Sequence, residues 1–209
     1  MPTANVYIDG FNLYYGCLKD TPYRWLDLGT FSALLLPASH SIHRIRYYTA
    51  RVSAFPNDPD APRRQAVYLR ALATIPNLSL VFGHFLSSVV MMPLASPPPA
   101  GQRFARVIKR EEKGSDVNLA SHLLVDAFTK DCAVAFVISN DSDLLEPIRI
   151  ARRQLGVPVG LALPYSRTAR VLAAEVDFIR PIWTRTLMRS QFHATLADAR
   201  GTFSKPSGW

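Results

Sequence analysis

The sequence is short of several things, and each shortage narrows its class. Two cysteines, Cys17 and Cys132, both inside apolar-patterned segments, rule out a disulfide framework and have no metal-ligand spacing; both read as buried bystanders. No apolar run approaches the roughly 20 residues needed to cross a bilayer. The most apolar stretch, 78–94, is broken by Gly83, His84, Ser87, Ser88 and Pro93. The opening MPTANVYIDG has no basic head followed by a long apolar segment, so no secretory leader or membrane association is expected, and the cytoplasm is the expected compartment. The GxxxxGK(S/T) phosphate loop, GxGxxG and GxSxG are all absent, which argues against the usual nucleotide loop and against a nucleophile elbow. Five histidines (40, 43, 84, 122, 193) are scattered. His40 with His43 lacks a third ligand, and His122 with Asp126 is an ordinary helical i, i+4 pair, so zinc or triad chemistry is disfavoured.

Lysine is scarce too, with five of the 24 basic residues, the rest being arginine. Against 16 acids the net charge is +8, with a pI near 9.8. Arginine's planar fork matches phosphate geometry, so a polyanionic partner is one reading; coding bias from lysine to arginine is the other. What is plentiful is core material, since 48% of the 209 residues are hydrophobic and only 19% charged, which excludes disorder.

Apolar runs and helical spacings alternate along the chain. Strands are expected at 5–9, 44–51, 78–86, 104–110, 133–139, 157–163 and 178–182. Helices are expected at 12–19, 26–36, 63–75, 115–128 with Val117, Ala120, Leu124, Ala127 and Phe128 on one face, 143–155 closed by Gly156, and 168–175. The proline-bearing stretches 53–62 and 93–102 read as loops, and 201–209 as a tail. A repeated β-α order demands a mostly parallel sheet covered on both faces, a three-layer α/β/α fold. One domain over 1–182 with a C-terminal extension over 183–209 is the expected organisation.

In such a sheet the strand C-termini and helix N-termini share an edge, and side chains from separate βα units meet there. Asp9 closes the first strand, Asp141 and Asp143 follow the strand ending at Ser139, and Asp116 lies in the first turn of the helix after the 104–110 strand. Each has a structural alternative: a turn for Asp9-Gly10, a capping box for Asp143 with Glu146, a favoured helix start for Asp116. Taken together, clustered carboxylates would raise one another's pKa, and a hard divalent cation, Mg²⁺ or Mn²⁺, resolves that conflict. A carboxylate-held cation on a basic protein suits phosphoryl chemistry. Lys113, Ser139 and Asn140 are placed to assist. Asn12 either hydrogen-bonds a ligand carboxylate or the scissile phosphate, or caps its helix. Tyr14, Tyr15, Tyr47 and Tyr48 are read as core in preference to base-stacking platforms.

Three separated strings carry a family resemblance: VYIDGFNLYY (6–15), KGSDVNLA (113–120) and ISNDSDL (138–144). Together and in this order they resemble the signature blocks of NYN domains, PIN-like nucleases, and within them the LabA-like branch; the likeness spans about 5–182. It implies a PIN-like parallel sheet and a metal-dependent ribonuclease site with Asp9, Asp116, Asp141 and Asp143 as the acidic set and Asn12 beside it. RNA becomes the implied partner, with Arg63, Arg64, Arg106, Lys109 and Arg110 as candidates to grip its backbone, and a homo-oligomer is possible on this fold. The stretch from Ser190 to Trp209 is also similar to the ends of some members. Two other readings stand beside this one: a non-catalytic RNA-binding or regulatory adaptor on the same fold, and a small-molecule phosphohydrolase suggested by Asp141-Ser-Asp143. The last motif normally lies on a first strand and continues with Thr or Val, whereas here it lies late and continues with Leu144.

Overall fold

The structure, a computed structural model, describes residues 1–209 apart from 55, 57, 166–168 and 208. Its centre is a six-stranded sheet in the order β3-β2-β1-β6-β7-β8, parallel at every pairing. The strands are β1 (Thr3–Asp9), β2 (Ser41–Thr49), β3 (Leu78–Phe82), β6 (Val134–Ile138), β7 (Val159–Leu163) and β8 (Phe178–Pro181).

β1 shows why the sheet is covered on both faces. Its residues from Ala4 to Asp9 are all buried, and their alternation feeds two cores. Ala4, Val6 and Ile8 join one core, which holds Trp25, Phe31, Leu72 and Phe136. Here α1 (Gly10–Leu13), α2 (Leu28–Leu35) and α3 (Ala61–Leu72) contribute their buried residues. Tyr7 faces the other core, built on α4 (Ser115–Phe128) and α5 (Leu145–Arg149) with Leu119, Leu123, Ile148 and Leu161. Each of these fully buried aliphatic side chains contributes about 1.5–3 kcal/mol relative to exposure. Three layers result, as the β-α order demands, with α6 (Arg170–Ala173) and α7 (Thr184–Arg189) completing the helices. The expected start of the α6 helix at Thr168 lies outside the described residues.

Several expectations are corrected. The expected strand at 78–86 is two strands, because the backbone turns at Gly83, where an added Cβ would sit 2.6 Å from the Lys113 carbonyl oxygen. After it, β4 (His84–Pro93) leaves the sheet and pairs only with β5 (Phe104–Lys113) as an antiparallel ribbon. The strand before α4 is therefore a ribbon strand outside the central sheet, and the 93–102 stretch is the ribbon's tip. On α4 the inward face is Leu119, Leu123 and Ala127; Val117 and Phe128 are exposed, since the i, i+4 row that meets the sheet runs one residue out of phase with the expected one. The 201–209 stretch is no loose tail. Gly201–Ser204 (β10) pairs with Thr195–Asp198 (β9), and Trp209 packs edge-on against Trp25 and tilted against Tyr68. Cys17 is half-buried and Cys132 buried; burial pushes the Cys17 thiol up to about 12. Among the described residues no helix is long and apolar enough to cross a membrane.

Candidate functional site at the carboxyl edge of the sheet

All six strands run the same way, so the C-termini of β1, β6 and β7 lie on one edge. Strand order reverses between β1 and β6, since β2 and β3 continue on one side and β7 and β8 on the other. Such a switch point opens a crevice where ligands bind in α/β sheets. Asp9 ends β1 and Ser139 follows β6, so the crevice is bounded by the residues the sequence singles out.

Asp9 is buried, 3% exposed, and its carboxylate is held by three donors. The Asn12 backbone N–H donates to Oδ1 at 3.0 Å, the Asn12 amide to Oδ2 at 2.7 Å, and the Ser139 hydroxyl to Oδ2 at 2.9 Å. Asp9 is thus the cap of α1, and Asn12 is its ligand within the helix; the capping alternative belongs to Asp9. Gly10 is required next to it, because a Cβ there would lie 2.6 Å from the Tyr48 carbonyl oxygen. Burial raises the Asp9 pKa, the hydrogen bonds pull it down, and the charge of Asp141 adds to the rise.

The loop after β6 is tied to the same network. The Asp141 N–H donates to the Ser139 hydroxyl oxygen at 3.0 Å, which aims the hydroxyl proton at Asp9. Asn140 donates its N–H to the Asn12 amide oxygen at 3.2 Å and accepts the Tyr165 N–H at 2.9 Å. Ser139 and Asn140, expected to touch substrate, are therefore engaged in positioning Asp9, Asn12 and the loop after β7. Asp141 caps the following turn by accepting the Asp143 N–H at 3.0 Å, so the expected capping box of Asp143 with Glu146 is replaced by an Asp141 cap. Asp143 is exposed.

Asp116 comes from the first turn of α4. Its pKa is raised to about 6, first by burial and then by the charges of Asp9, Asp141, Glu112 and Asp143. Those couplings place the four predicted acids in one electrostatic neighbourhood. Among the described residues none of the four is in an ion pair with Lys, Arg or His, and no three His, Cys, Asp or Glu side chains stand close enough to share one ion as they lie. The set converges without being closed into a shell. Its donor chemistry nevertheless fits a hard divalent cation: all ligand atoms are carboxylate oxygens, and the pKa of Asp116 is raised by burial and by the neighbouring acids, with no cation paired to it among the described residues.

Two residues escaped the sequence. Glu112 accepts the Ser115 N–H at 3.2 Å and its hydroxyl proton, fixing the start of α4 and bringing a fifth carboxylate towards Asp116. The Glu-x-x-Ser spacing ahead of a helix was its only signal. Tyr165, two residues beyond β7, stands near Asp9; burial and then the Asp9 charge raise the phenol's pKa. Its position in the loop just past the third strand on this edge was a usable clue.

The predicted basic residues divide. Strand alternation puts Arg106 and Arg110 on the ribbon face that carries Phe85 and Glu112, whereas Lys109 lies on the opposite face and pairs with Glu111 at 2.7 Å. Lys113 also reaches Glu111, at 3.8 Å. The root of the Arg106 face adjoins the acidic edge, with Phe85 edge-on to Phe11 of α1, ring centroids 5.6 Å apart. Arg64 is committed to Asp58 at 2.5 and 2.6 Å, and Arg63 is exposed on α3. Tyr47 and Tyr48 are core, and Tyr15 is exposed.

Comparison with known proteins adds three findings. The NYN domain model matches residues 3–182. The chain is 32% identical over 236 aligned residues to 6-hydroxy-3-succinoylpyridine 3-monooxygenase HspA of Pseudomonas putida, across 99% of this chain and 75% of that protein. Among solved structures, a protein of unknown function from Vibrio parahaemolyticus matches with a TM-score of 0.55 at 15% identity, covering 88% of this chain and 94% of that one; this likeness is one of fold.

Proposed function

The chain belongs to the NYN domain family, whose fold is nuclease-like, and from that premise we propose that it is a divalent-metal-dependent ribonuclease hydrolysing RNA phosphodiester bonds. The observation that carries the reading is the uncompensated acidic set at the switch point. Asp9, Asp116, Asp141 and Asp143 would hold Mg²⁺ or Mn²⁺. When bound, the cation supplies charge stabilisation at the phosphodiester and a more acidic water.

The chain's own residues do the rest. Asn12 and Ser139 fix the Asp9 carboxylate in one orientation, so it meets its ligand without reorganising. Asp141 is held by its own turn, and Asn140 ties that turn to the loop bearing Tyr165. The raised pKa of Asp116, set first by burial and then by the neighbouring carboxylates, is the charge conflict that a bound cation would relieve. Arg106 and Arg110 face the same way on the ribbon and supply cationic contacts for phosphates flanking the scissile bond.

The test is incubation of the purified chain with a labelled single-stranded RNA and Mn²⁺. Cleavage that EDTA abolishes and Asp141→Asn slows at least about 100-fold supports the proposal. Cleavage by Asp141→Asn at the parent rate contradicts the site, and salt-sensitive RNA binding that persists in EDTA without any cleavage supports the adaptor.

A second reading has one specific observation behind it, the 32% identity to the Pseudomonas putida monooxygenase. In that reading the chain hydroxylates a pyridine carrying an acidic side chain. Oxygen uptake with 6-hydroxy-3-succinoylpyridine and an added two-electron reductant, in the absence of RNA cleavage, would favour it; no uptake is expected.

A further inference from the structure

A cavity of about 450 Å³ opens beside β8 and α7, and no residue of the acidic edge lines it. Its wall carries Arg180, Arg185 and Arg189 with Trp183, Leu34 and Leu35. The sequence explains the convergence. Arg185 and Arg189 are four apart on α7 and so share a side of the helix, while Leu187 between them turns into the core. Arg180, near the end of β8, lies over the Phe178 ring at 5.4 Å, and Phe178 is itself stacked on Phe136.

No carboxylate lines this cavity, and among the described residues none of the three arginines is in an ion pair. Several arginines elsewhere on the molecule are paired with carboxylates instead. Arg149 and Arg153 share Glu175, Arg152 has Asp177, and Arg70 has Asp198. Three like charges on one small wall repel unless an anion sits among them. Beside them the indole of Trp183 is 55% exposed and Leu34 is 40% exposed, apolar surface set next to the guanidinium groups. The volume falls in the range of small-ligand sites.

We propose that this cavity binds a nucleoside monophosphate unit, with the phosphate on the three arginines and the base against Trp183 and the leucines. A phosphate suits the wall better than a carboxylate, because it offers three terminal oxygens and a charge of about −1.5 to −2 to three guanidinium forks. The unit is either a free nucleotide or the 5′-phosphorylated end of an RNA strand. The inference shares no residue with the acidic edge and stands or falls apart from the nuclease reading.

Tryptophan fluorescence of the full chain tests it. Trp25 and Trp209 lie in the first core, so Trp183→Phe identifies the responding ring. The ligands are AMP, a 5′-phosphorylated short RNA, the same RNA without its phosphate, adenosine and benzoate. Saturable quenching by AMP that disappears in Trp183→Phe, and that weakens about tenfold in Arg185→Gln and again in Arg189→Gln, is the expected result. Tighter binding of the 5′-phosphorylated RNA than of AMP identifies a strand end as the source, and the reverse identifies a free nucleotide. The proposal is overturned if AMP gives no saturable change at roughly millimolar concentration. It is also overturned if adenosine or benzoate matches AMP, or if an Arg185→Gln/Arg189→Gln double variant with the parent's urea midpoint binds AMP like the parent.

Discussion

Helix α4 carries an aspartate at each end, and the two have opposite fates. Asp116 sits in the first turn, where the helix dipole favours a negative charge, yet its pKa is raised to about 6. Asp126 sits in the last turn, where the dipole disfavours one, yet its pKa is lowered. Burial acts on both in the same upward direction. What separates them is company: Asp126 accepts both forks of Arg46 and the Tyr7 hydroxyl at 2.8 Å, with Arg44 at 3.7 Å and the Asn5 amide at 3.2 Å. Asp116 is surrounded by Asp9, Asp141, Glu112 and Asp143. A dipole contribution of about 0.3–1 kcal/mol is outweighed by specific partners at either end. The difference teaches how to sort buried acids. One that is saturated with donors holds the fold, and one that lacks a counter-charge at a switch-point edge is a candidate to hold a cation.

The largest expected effect breaks the saturated end. Asp126→Asn leaves Arg46 buried against a neutral partner and costs about 3 kcal/mol of unfolding free energy in a urea titration. The lowered pKa gives the same end a pH signature. Its stabilisation is present above the unfolded-state value and is lost as pH falls through the lower folded-state value, so the variant and parent converge in acid.

At the open end the sign reverses. The folded-state pKa of Asp116 lies above its ordinary value of 3.8, so its protonated form favours folding and that contribution is lost as pH rises through about 6. In EDTA, Asp116→Asn is therefore expected to stabilise the chain at pH 8 by about 1 kcal/mol, after discounting for solvent screening of a half-exposed group, and by less at pH 4.5. Thermal unfolding at the two pH values checks this. Adding Mn²⁺ should raise the parent's midpoint and leave that of Asp116→Asn closer to its EDTA value.

The smallest effect sharpens the division on the ribbon. Arg106→Ala is expected to weaken RNA binding a few-fold and reduce its salt dependence by about one counterion, while Lys109→Ala, on the face paired with Glu111, leaves both nearly unchanged. Binding isotherms at several salt concentrations measure this directly.

The same contrast explains what was legible in the sequence. The placement of Asp9, Asp116 and Asp141 at one edge was readable because it depends on local position, each ending or following a strand or opening a helix of a parallel sheet. The helix over 115–128 was readable for the same reason, with both ends set by local signals. Asp126 was not. Its visible neighbour was His122, whereas Arg46, Tyr7 and Asn5 reach it from 80 to 121 residues away, and His122 instead meets the Tyr48 hydroxyl at 3.2 Å. The ribbon was hidden because residues 78–94 form one apolar-rich stretch whose break at Gly83 is a single residue. Trp209 looked like part of a loose end because only the folded core reveals its contacts with Trp25 and Tyr68.

On this reading the open end of α4 and the edge of β1 and β6 form a cation site while the closed end of α4 does not. Anomalous diffraction from crystals soaked in Mn²⁺ tests it most directly. A peak is expected among Asp9, Asp116, Asp141 and Asp143 and none beside Asp126; a soaked crystal with no peak at that edge would rule the cation site out.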